Sequence, residues 1–353
     1  MTRAIKVLIV DDSALIREML TSILNSDPVL NVVGTAPDAL KAREMIKQLN
    51  PDVVTLDIEM PKMNGIEFLR KIMKLRPMPV VMISTMTQNS AAITLEALEI
   101  GAVDFVAKPK HDVERELGEK AKEIIAKVKT AANAKVKPLE QTIFPASKET
   151  MVPMQGSTSQ YNMIVIGAST GGVEALRTIF SDLPKAMPPI FVVQHMPKQF
   201  TKTFAQRLNG LGELTVHEAE DYMIARSGHV YIAPGDRHLR LAKSKGEVVC
   251  RLMEGNPVSG HIPSVDVLFD SVCHVDPERT IGVMLSGMGK DGAESMLKMH
   301  QAGSYTVGQD EQSCVVYGMP KAAYEKGGVD VQADLKKIAN VLISLCHKNK
   351  ETE

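Results

Sequence analysis

Tryptophan is absent from this sequence, and aromatic residues amount to only eight phenylalanines and six tyrosines in 353 residues. Any core must therefore be filled by aliphatic and thioether side chains, and most of the 21 methionines read as gap-filling core. Met60, Met63, Met86, Met196 and Met288 are set apart because they fall close to the candidate sites developed below. Cysteine is scarce as well: Cys250, Cys273, Cys314 and Cys346 are scattered and form no CxxC pair. That spacing excludes a disulfide framework and a structural zinc site, and it suits a reducing cytoplasm. Net charge is missing too, since 41 Lys and Arg against 42 Asp and Glu leave a formal −1, which argues against a generally basic nucleic-acid binder. No stretch approaches the ~18 apolar residues of a membrane span. The apolar run from Ile5 to Val10 is too short for a signal segment and runs straight into Asp11 and Asp12. The chain is accordingly expected to be cytoplasmic, neither exported nor embedded in a membrane.

With 44% hydrophobic and 24% charged residues the chain is an ordinary globular one, and at about 150 residues per domain its length predicts roughly two domains. From residue 5, short apolar runs alternate with helical patterns: IKVLIV, VLNVVG, DVVTLDI, PVVMIS and AVDFVAKP are each followed by a helix. Strands that alternate with helices make a parallel sheet, because each crossover needs a helix to return the chain. The first domain is therefore read as an α/β (βα)5 doubly wound sheet over residues 1–131. One helix from Asp112 closes it, with Leu117, Ala121, Ile124 and Val128 on its apolar stripe and Glu123 and Lys127 paired on the wet side. Across 132–160 periodicity fades, Pro138, Pro145 and Pro153 interrupt any helix, and the segment reads as a linker. The alternation then restarts, and residues 161–353 are read as a second, Rossmann-like α/β domain. Its antiparallel insertion is placed around HVYIAPGDRHLRLAKSKGEVVCRLM, with Ser-Lys-Gly as the turn, and TIGVMLSGM is read as one strand.

In the first domain Asp11 and Asp12 follow the first strand and Asp57 ends the third. Ligand crevices of open parallel sheets lie at that edge, so the three carboxylates should converge there. Like charges in one pocket call for a divalent cation, and oxygen-only ligands favour Mg²⁺. Ser84 ends the fourth strand and Lys108 the fifth, where a hydroxyl and an ammonium would meet the oxygens of a phosphorylated aspartate. An Asp after a strand is usually only a cap or turn residue, but the full set at successive strand ends is specific. With these residues the segment from about 4 to 130 resembles a response-regulator receiver domain. The resemblance implies that Asp57 is the phospho-acceptor. It further implies that Asp11, Asp12, Asp57 and the carbonyl of Glu59 hold Mg²⁺, that Ser84 and Lys108 read the phosphate, and that Phe105 occupies the position of a switching aromatic.

In the second domain the strand NMIVIG breaks into Gly167-Ala168-Ser169-Thr170-Gly171-Gly172 and a helix follows at once. This contains GxSxG, in which glycines relieve crowding around an exposed serine while the helix N-terminus offers positive dipole to an oxyanion. Taken alone the motif fits a phosphate-binding or dinucleotide-binding turn equally well, although GxGxxG itself is absent. A serine nucleophile needs a base and an orienting acid. Of nine histidines only His195 ends a strand of the parallel pattern, and Asp291 follows TIGVMLSGM through Gly289 and Lys290. Ser169, His195 and Asp291 could thus meet along one sheet edge as nucleophile, general base and orienting acid. Their chain order differs from that of α/β-hydrolases.

The segments IGASTGG, VVQHMP, VYIAPGDRH, PSVDVLF, LSGMGKDGA and QDEQSCVVYGMP together give residues 160–347 a strong resemblance to the catalytic domain of the chemotaxis CheB-type methylesterase family. That resemblance implies the same triad, with backbone amides of Thr170 and Met288 as oxyanion donors. Ile262 departs from the family pattern, in which Arg is frequent before PSVDVLF, and Lys290 occupies a variable position. The implied activity is hydrolysis of glutamate 5-O-methyl esters on methyl-accepting chemotaxis receptors, releasing methanol, with receptor-glutamine deamidation as a companion reaction. It would be switched on by phosphorylation from a chemotaxis histidine kinase and would need no cofactor for the hydrolysis itself. Two other readings stand beside it. A receiver with a DNA-binding output would require a compact basic module, which residues 160–353 are too long and too strand-rich to be. A non-catalytic scaffold would be indifferent to Ser169.

Overall fold

Five apolar segments of the first hundred residues pair as the alternation predicts. In the computed structural model, which describes residues 3–85, 88–108, 113–136, 138 and 160–347, the elements run β1 (Ile5–Val10), α1 (Ala14–Asn25), β2 (Leu30–Ala36) and α2 (Ala39–Leu49). They continue as β3 (Val53–Asp57), α3 (Gly65–Leu75), β4 (Val80–Thr85), α4 (Gln88–Ile100), β5 (Asp104–Lys108), α5 (Val113–Glu119) and α6 (Ala121–Ala132). The strands form one parallel sheet in the order β2-β1-β3-β4-β5. Helices on both faces leave β3 wholly buried, which is why it shows no alternation up to Asp57, with Thr55 buried between Val54 and Leu56. Helix starts follow cap chemistry: Ser13, Asp38 and Asn64 each accept a backbone N–H of the first turn of α1, α2 and α3.

The closing helix differs from expectation. It is divided at Lys120 into α5 and α6; Asp112 lies outside the described residues. Leu117, Ile124 and Val128 are buried as the stripe requires, and Ala121 is half-buried. Lys127 pairs with Glu123 at 3.2 Å but is not on a wet face: its side chain is 19% exposed. Its ammonium donates to the Phe105 carbonyl at 2.6 Å and lies 3.1 Å from Asp104. Burial alone would lower the Lys127 pKa, and the carboxylates of Asp104 and Glu123 outweigh it and raise the value.

The second unit contains β6 (Met163–Ala168), α7 (Gly172–Asp182), β7 (Ile190–Gln194), α8 (Lys198–Asn209), β8 (Thr215–Glu218), β9 (His229–Ile232), β10 (His238–Ser244) and β11 (Glu247–Met253). It ends with α9 (Val265–Val272), β12 (Thr280–Met284), α10 (Ala293–Gln301), β13 (Tyr305–Gln309), α11 (Met319–Glu325), β14 (Val331–Ala333) and α12 (Leu335–Cys346). Seven strands form a parallel sheet in the order β14-β13-β12-β6-β7-β9-β8. The strand order reverses between β6 and β12, so the carboxyl ends of these two strands flank the crevice where such sheets bind ligands.

Two expectations need correction here. HVYI is not part of the inserted hairpin: as β9 it pairs in parallel with β7 and β8, and only β10 and β11 form the antiparallel pair, turning at Lys245 and Gly246. The strand in TIGVMLSGM stops at Met284, leaving the rest as a turn over the sheet edge. Between α11 and α12 lies β14, too short to show a periodicity. The hairpin packs on α9, Leu241 N donating to Ser271 Oγ at 3.0 Å. The core contains Phe191, Tyr231, Phe269, Met284, Met296, Met299 and Met319, so thioethers do fill much of it. None of the four cysteines is in a disulfide, and burial pushes the Cys250 thiol up to about 12.

The chain divides into two compact units, residues 1–142 and 143–353. Positions 137 and 139–159 of the expected linker lie outside the described residues, as does Met86.

Candidate active site and phospho-acceptor pocket

In the first unit β1 and β3 are neighbours, and the strand order reverses there, so Asp11 and Asp57 emerge side by side at the crevice. Carboxylate oxygens of Asp11, Asp12 and Asp57 all lie within 4.8 Å of one another, Asp11 and Asp57 buried and Asp12 exposed. Lys108 at the end of β5 reaches both buried acids, 2.6 Å from Asp11 and 2.8 Å from Asp57. Burial drives the Asp57 carboxyl up to about 6, with Lys108 opposing and the Asp11 charge adding. Asp11 is raised for the same first reason, and Lys108 is raised because two carboxylates outweigh its burial. One ammonium thus faces three carboxylates, and an oxygen-only set with surplus negative charge fits a hard divalent cation. Glu59 is exposed, and its backbone amide hydrogen-bonds Asp57. Ser84 is buried one strand away on β4. Gly65 is required by crowding: a Cβ there would stand 1.9 Å from the Asp57 carbonyl oxygen.

In the second unit the turn after β6 is stitched to its neighbours through backbone groups. Ser169 N donates to the Ser286 carbonyl at 3.0 Å, Gly172 N to the Ser169 carbonyl at 2.8 Å, and His195 N to the Ala168 carbonyl at 3.0 Å. Gly171 has φ +81, and a Cβ on it would meet Val315 Cβ at 2.7 Å and Ser286 Oγ at 2.9 Å, so glycine alone fits. Ser169 is half-buried immediately before the N-terminus of α7. His195 follows β7, and its Nε2 lies 2.8 Å from Asp291 Oδ2. The other ring nitrogen, Nδ1, is buried and has no hydrogen-bond partner among the described residues. A carboxylate can only accept, so Nε2 carries the proton and Nδ1 presents a lone pair.

Asp291 is 1% exposed. Its Oδ1 also accepts from Ser264 Oγ at 2.8 Å and Asp266 N at 3.1 Å, and its Oδ2 from Val265 N at 2.7 Å. The carboxylate therefore sits on the N-terminus of α9. Burial would raise its pKa, but the hydrogen bond and charge of His195, with Ser264 and Val265, hold it down at about 2. Thr170 is buried beside Ser169, its carbonyl accepting from Ser286 Oγ at 2.8 Å, and Met288 is half-buried in the turn after β12. Of the three residues expected near strand ends, His195 and Asp291 are thus in hydrogen-bonding contact, and Ser169 lies in the turn after β6, tied to the His195 turn through backbone groups.

Several supporting residues were not foreseen. Gln194 Nε2 donates to the carbonyls of both Ser169, at 3.0 Å, and His195, at 3.2 Å, tying the two turns together. The His261 ring stacks on the His195 ring with centroids 3.7 Å apart and planes at 9°. Ser286 N is held by Gln309 Oε1 at 2.8 Å. Ser264 has a sequence signal as the residue opening α9, yet its hydroxyl makes no cap bond to its own helix and serves Asp291 instead. Val265 fills the space between two glycines: a Cβ on Gly167 would lie 2.4 Å from its Cγ1, and one on Gly292 2.3 Å from the same atom.

The chain is similar to known proteins in both of its units. The family model described as CheB methylesterase matches residues 164–342, and that of the response regulator receiver domain matches residues 7–118. A protein-glutamate methylesterase/protein-glutamine glutaminase of Geobacter metallireducens is 54% identical over 340 residues, covering 95% of this chain and 94% of its own. One of Nitrosomonas europaea is 49% identical over 345 residues, covering 97% and 96%. The crystal structure of the Thermotoga maritima CheB methylesterase catalytic domain matches 52% of this chain and 98% of its own, at 43% identity and a TM-score of 0.51. With a receiver at one end, a catalytic unit at the other and relatives similar along nearly the full length, the chain belongs to the protein-glutamate methylesterase/protein-glutamine glutaminase (CheB) family.

Proposed function

We propose that this chain hydrolyses glutamate 5-O-methyl esters on methyl-accepting chemotaxis receptors, and deamidates receptor glutamines, under control of phosphorylation at Asp57. The observation that carries the reading is the state of His195: Nε2 is committed to Asp291, while Nδ1 is a buried acceptor with no partner among the described residues, beside the turn bearing Ser169. Ser169 Oγ attacks the ester carbonyl and gives its proton to His195 Nδ1. The backbone amides of Thr170 and Met288 receive the oxyanion, aided by the α7 N-terminus. As the intermediate collapses, the C–O bond breaks and methoxide leaves with the proton from His195 as methanol. Water then attacks the acyl-enzyme, passing one proton to His195, which returns it to Ser169 Oγ as the glutamyl carboxylic acid departs and loses its remaining proton to solvent. With glutamine the same steps release ammonia. Asp291 holds the tautomer and stabilises the imidazolium.

In the first unit Asp11, Asp12, Asp57 and the Glu59 carbonyl would hold Mg²⁺, which when bound neutralises charge on the phosphoryl donor. Asp57 is the nucleophile toward that donor, and Ser84 and Lys108 contact the phosphoryl oxygens. The chemotaxis histidine kinase is the donor in the cell, and the setting is the cytoplasm; among the described residues no helix is long and apolar enough to cross a membrane. The proposed division is a receiver over 1–131, a linker over 132–160 and the catalytic domain over 161–353. The test is methanol release from methylated receptor with and without a small phosphodonor. Wild type should be stimulated, Ser169→Ala should release none, and Asp57→Asn should keep a basal rate that the phosphodonor does not raise. A Ser169→Ala variant that still supports methanol release would overturn the assignment.

A further inference from the structure

The segment from Asn256 to Ser264 feeds the catalytic edge twice. His261 supplies the ring stacked on His195, and at the end of the segment Ser264 Oγ, followed by the amides of Val265 and Asp266, holds Asp291. Yet little packing holds the segment itself. Residues 254–260 are exposed, and Ser259 at φ +52 and Gly260 at φ +84 make a tight turn closed by reciprocal bonds between Val258 and His261 at 3.2 and 3.0 Å. On one side lies an open groove of about 740 Å³ lined by Pro257, Val258, Ser259 and Asp266. Something else must fix where this loop begins and ends.

A single side chain bridges both ends. His238, the first residue of β10, is 4% exposed and rooted in a strand whose Leu239 and Leu241 are in the core. Its Nε2 lies 3.1 Å from the Asn256 carbonyl, and its Nδ1 lies 3.2 Å from Ser264 N. A carbonyl can only accept and an amide N–H can only donate. The ring is therefore the neutral Nε2–H tautomer, donor at one end of the loop and acceptor at the other. Ser264 N precedes α9 and has no intrahelical acceptor, so the imidazole satisfies it while Asp291 takes the next two N–H groups.

We infer that His238 is a positioning residue for ester hydrolysis: by clasping Asn256 and Ser264 it sets the three donors that orient Asp291, and through Asp291 the base His195. The inference rests on the roles proposed above for Ser169, His195 and Asp291. The hydrogen bonds of His238 go to Asn256 and Ser264 and not to Ser169, His195 or Asp291, so its effect on the reaction is confined to geometry. Hydrogen-bond donors work over a few tenths of an ångström, and a displaced Ser264 would carry its hydroxyl and the next two amides off Asp291 together.

The test uses the full chain with methylated receptor and phosphodonor. His238→Phe keeps the ring and removes both hydrogen bonds; His238→Gln keeps an acceptor and a donor. The expected result is a kcat lower by about 10- to 100-fold in the Phe variant, with KM within about twofold, and recovery of most of kcat in the Gln variant. The low-field proton resonance of the His195–Asp291 hydrogen bond should shift or broaden in the Phe variant and return in the Gln variant. Wild-type kcat in a folded Phe variant overturns the inference, as do equal losses in both variants that track their thermal midpoints. If the Phe variant does not fold, His238→Asn, whose shorter amide reaches one end only, takes its place, and wild-type kcat there is equally decisive. Ser169→Ala is measured alongside: activity surviving in it removes the triad reading itself, whereas activity lost in it and intact in His238→Phe removes only the role of His238.

Discussion

Asp291→Asn perturbs the site by one charge and one acceptor while changing almost no volume. The native carboxylate receives donors on both oxygens: Ser264 Oγ and Asp266 N on Oδ1, and His195 Nε2 and Val265 N on Oδ2. An asparagine must point its NH₂ at one of these pairs, and each contains a backbone N–H that cannot turn away. With NH₂ on the Oδ2 side, at 2.7 Å from Val265 N, His195 can escape only by becoming the Nδ1–H tautomer, and its lone pair is then on the wrong nitrogen. With NH₂ on the Oδ1 side the tautomer survives, but the charge that stabilises the imidazolium is gone. A buried donor set against another donor costs about 1–3 kcal/mol, and a lost charged hydrogen bond about 1.5–3 kcal/mol. Together these cost about 2.5–6 kcal/mol. For activity, loss of an orienting aspartate in a serine triad lowers kcat about 10⁴-fold. The pH dependence follows from the depressed acid: holding Asp291 at about 2 instead of 3.8 is worth on the order of 2 kcal/mol. That contribution is complete above the unfolded value and is lost as pH falls through about 2, so the variant should lack this part of the acid limb. The assays are methanol release and urea unfolding of the catalytic unit's transition between pH 2 and 7. An Asn variant within tenfold of wild-type kcat would refute the orienting role.

Two further perturbations probe the site and its periphery. Gly287→Ala places a Cβ 2.8 Å from Ser169 Cβ and 2.3 Å from Met319 Sδ, so the nucleophile must shift. We expect about 1–3 kcal/mol of overpacking destabilisation and at least about a tenfold loss of kcat with phosphorylation of Asp57 unaffected; undiminished kcat would count against a rigid elbow. His217 Nε2 and His229 Nδ1 lie 2.9 Å apart at the β8–β9 edge, and burial first, then the charges of His217, Arg226 and Lys185, lowers the His229 pKa below 6.5. A depressed histidine makes the unfolded chain bind more protons, so stability should fall as pH drops through 6.5 toward the folded-state value. Thermal midpoints from pH 7.5 to 5 should show that slope and His229→Gln should flatten it; parallel slopes would discount the pair.

In the receiver half the candidate residues were legible because each lies at or next to the end of a strand. Asp11, Asp57, Ser84 and Lys108 were fixed by strand order before any contact was known, and the β1–β3 adjacency brings the two buried acids together. Ser169 and His195 were legible on the same ground. Asp291 was reached through a strand read too long, since β12 ends at Met284 and the aspartate lies well beyond it in a turn. HVYI was drawn into the hairpin because APGD after it is an ordinary turn signal, whereas its parallel partner β8 is provided by a connection with no periodicity of its own. What stayed hidden is what tertiary contact alone decides. The carbonyls that Gln194 bridges, the ring on which His261 stacks and the carboxylate that Ser264 serves leave no trace in local pattern. Which imidazole nitrogen of His195 meets Asp291 was equally out of reach, because it depends on the direction from which the turn after β12 arrives.

The valine between two glycines has an evolutionary corollary. Val265 fills the room left by the missing side chains of Gly167, on β6 before Ser169, and Gly292, beside Asp291, with no room for a Cβ on either side. Positions 167, 265 and 292 therefore cannot drift independently. A lineage that enlarged either glycine would have to shrink the valine in the same step or spread the catalytic edge apart, and one that shrank the valine alone would leave a hole beneath its own active site. Constraint on these three sites is thus a joint one, felt across 125 positions of chain by residues that carry no chemistry.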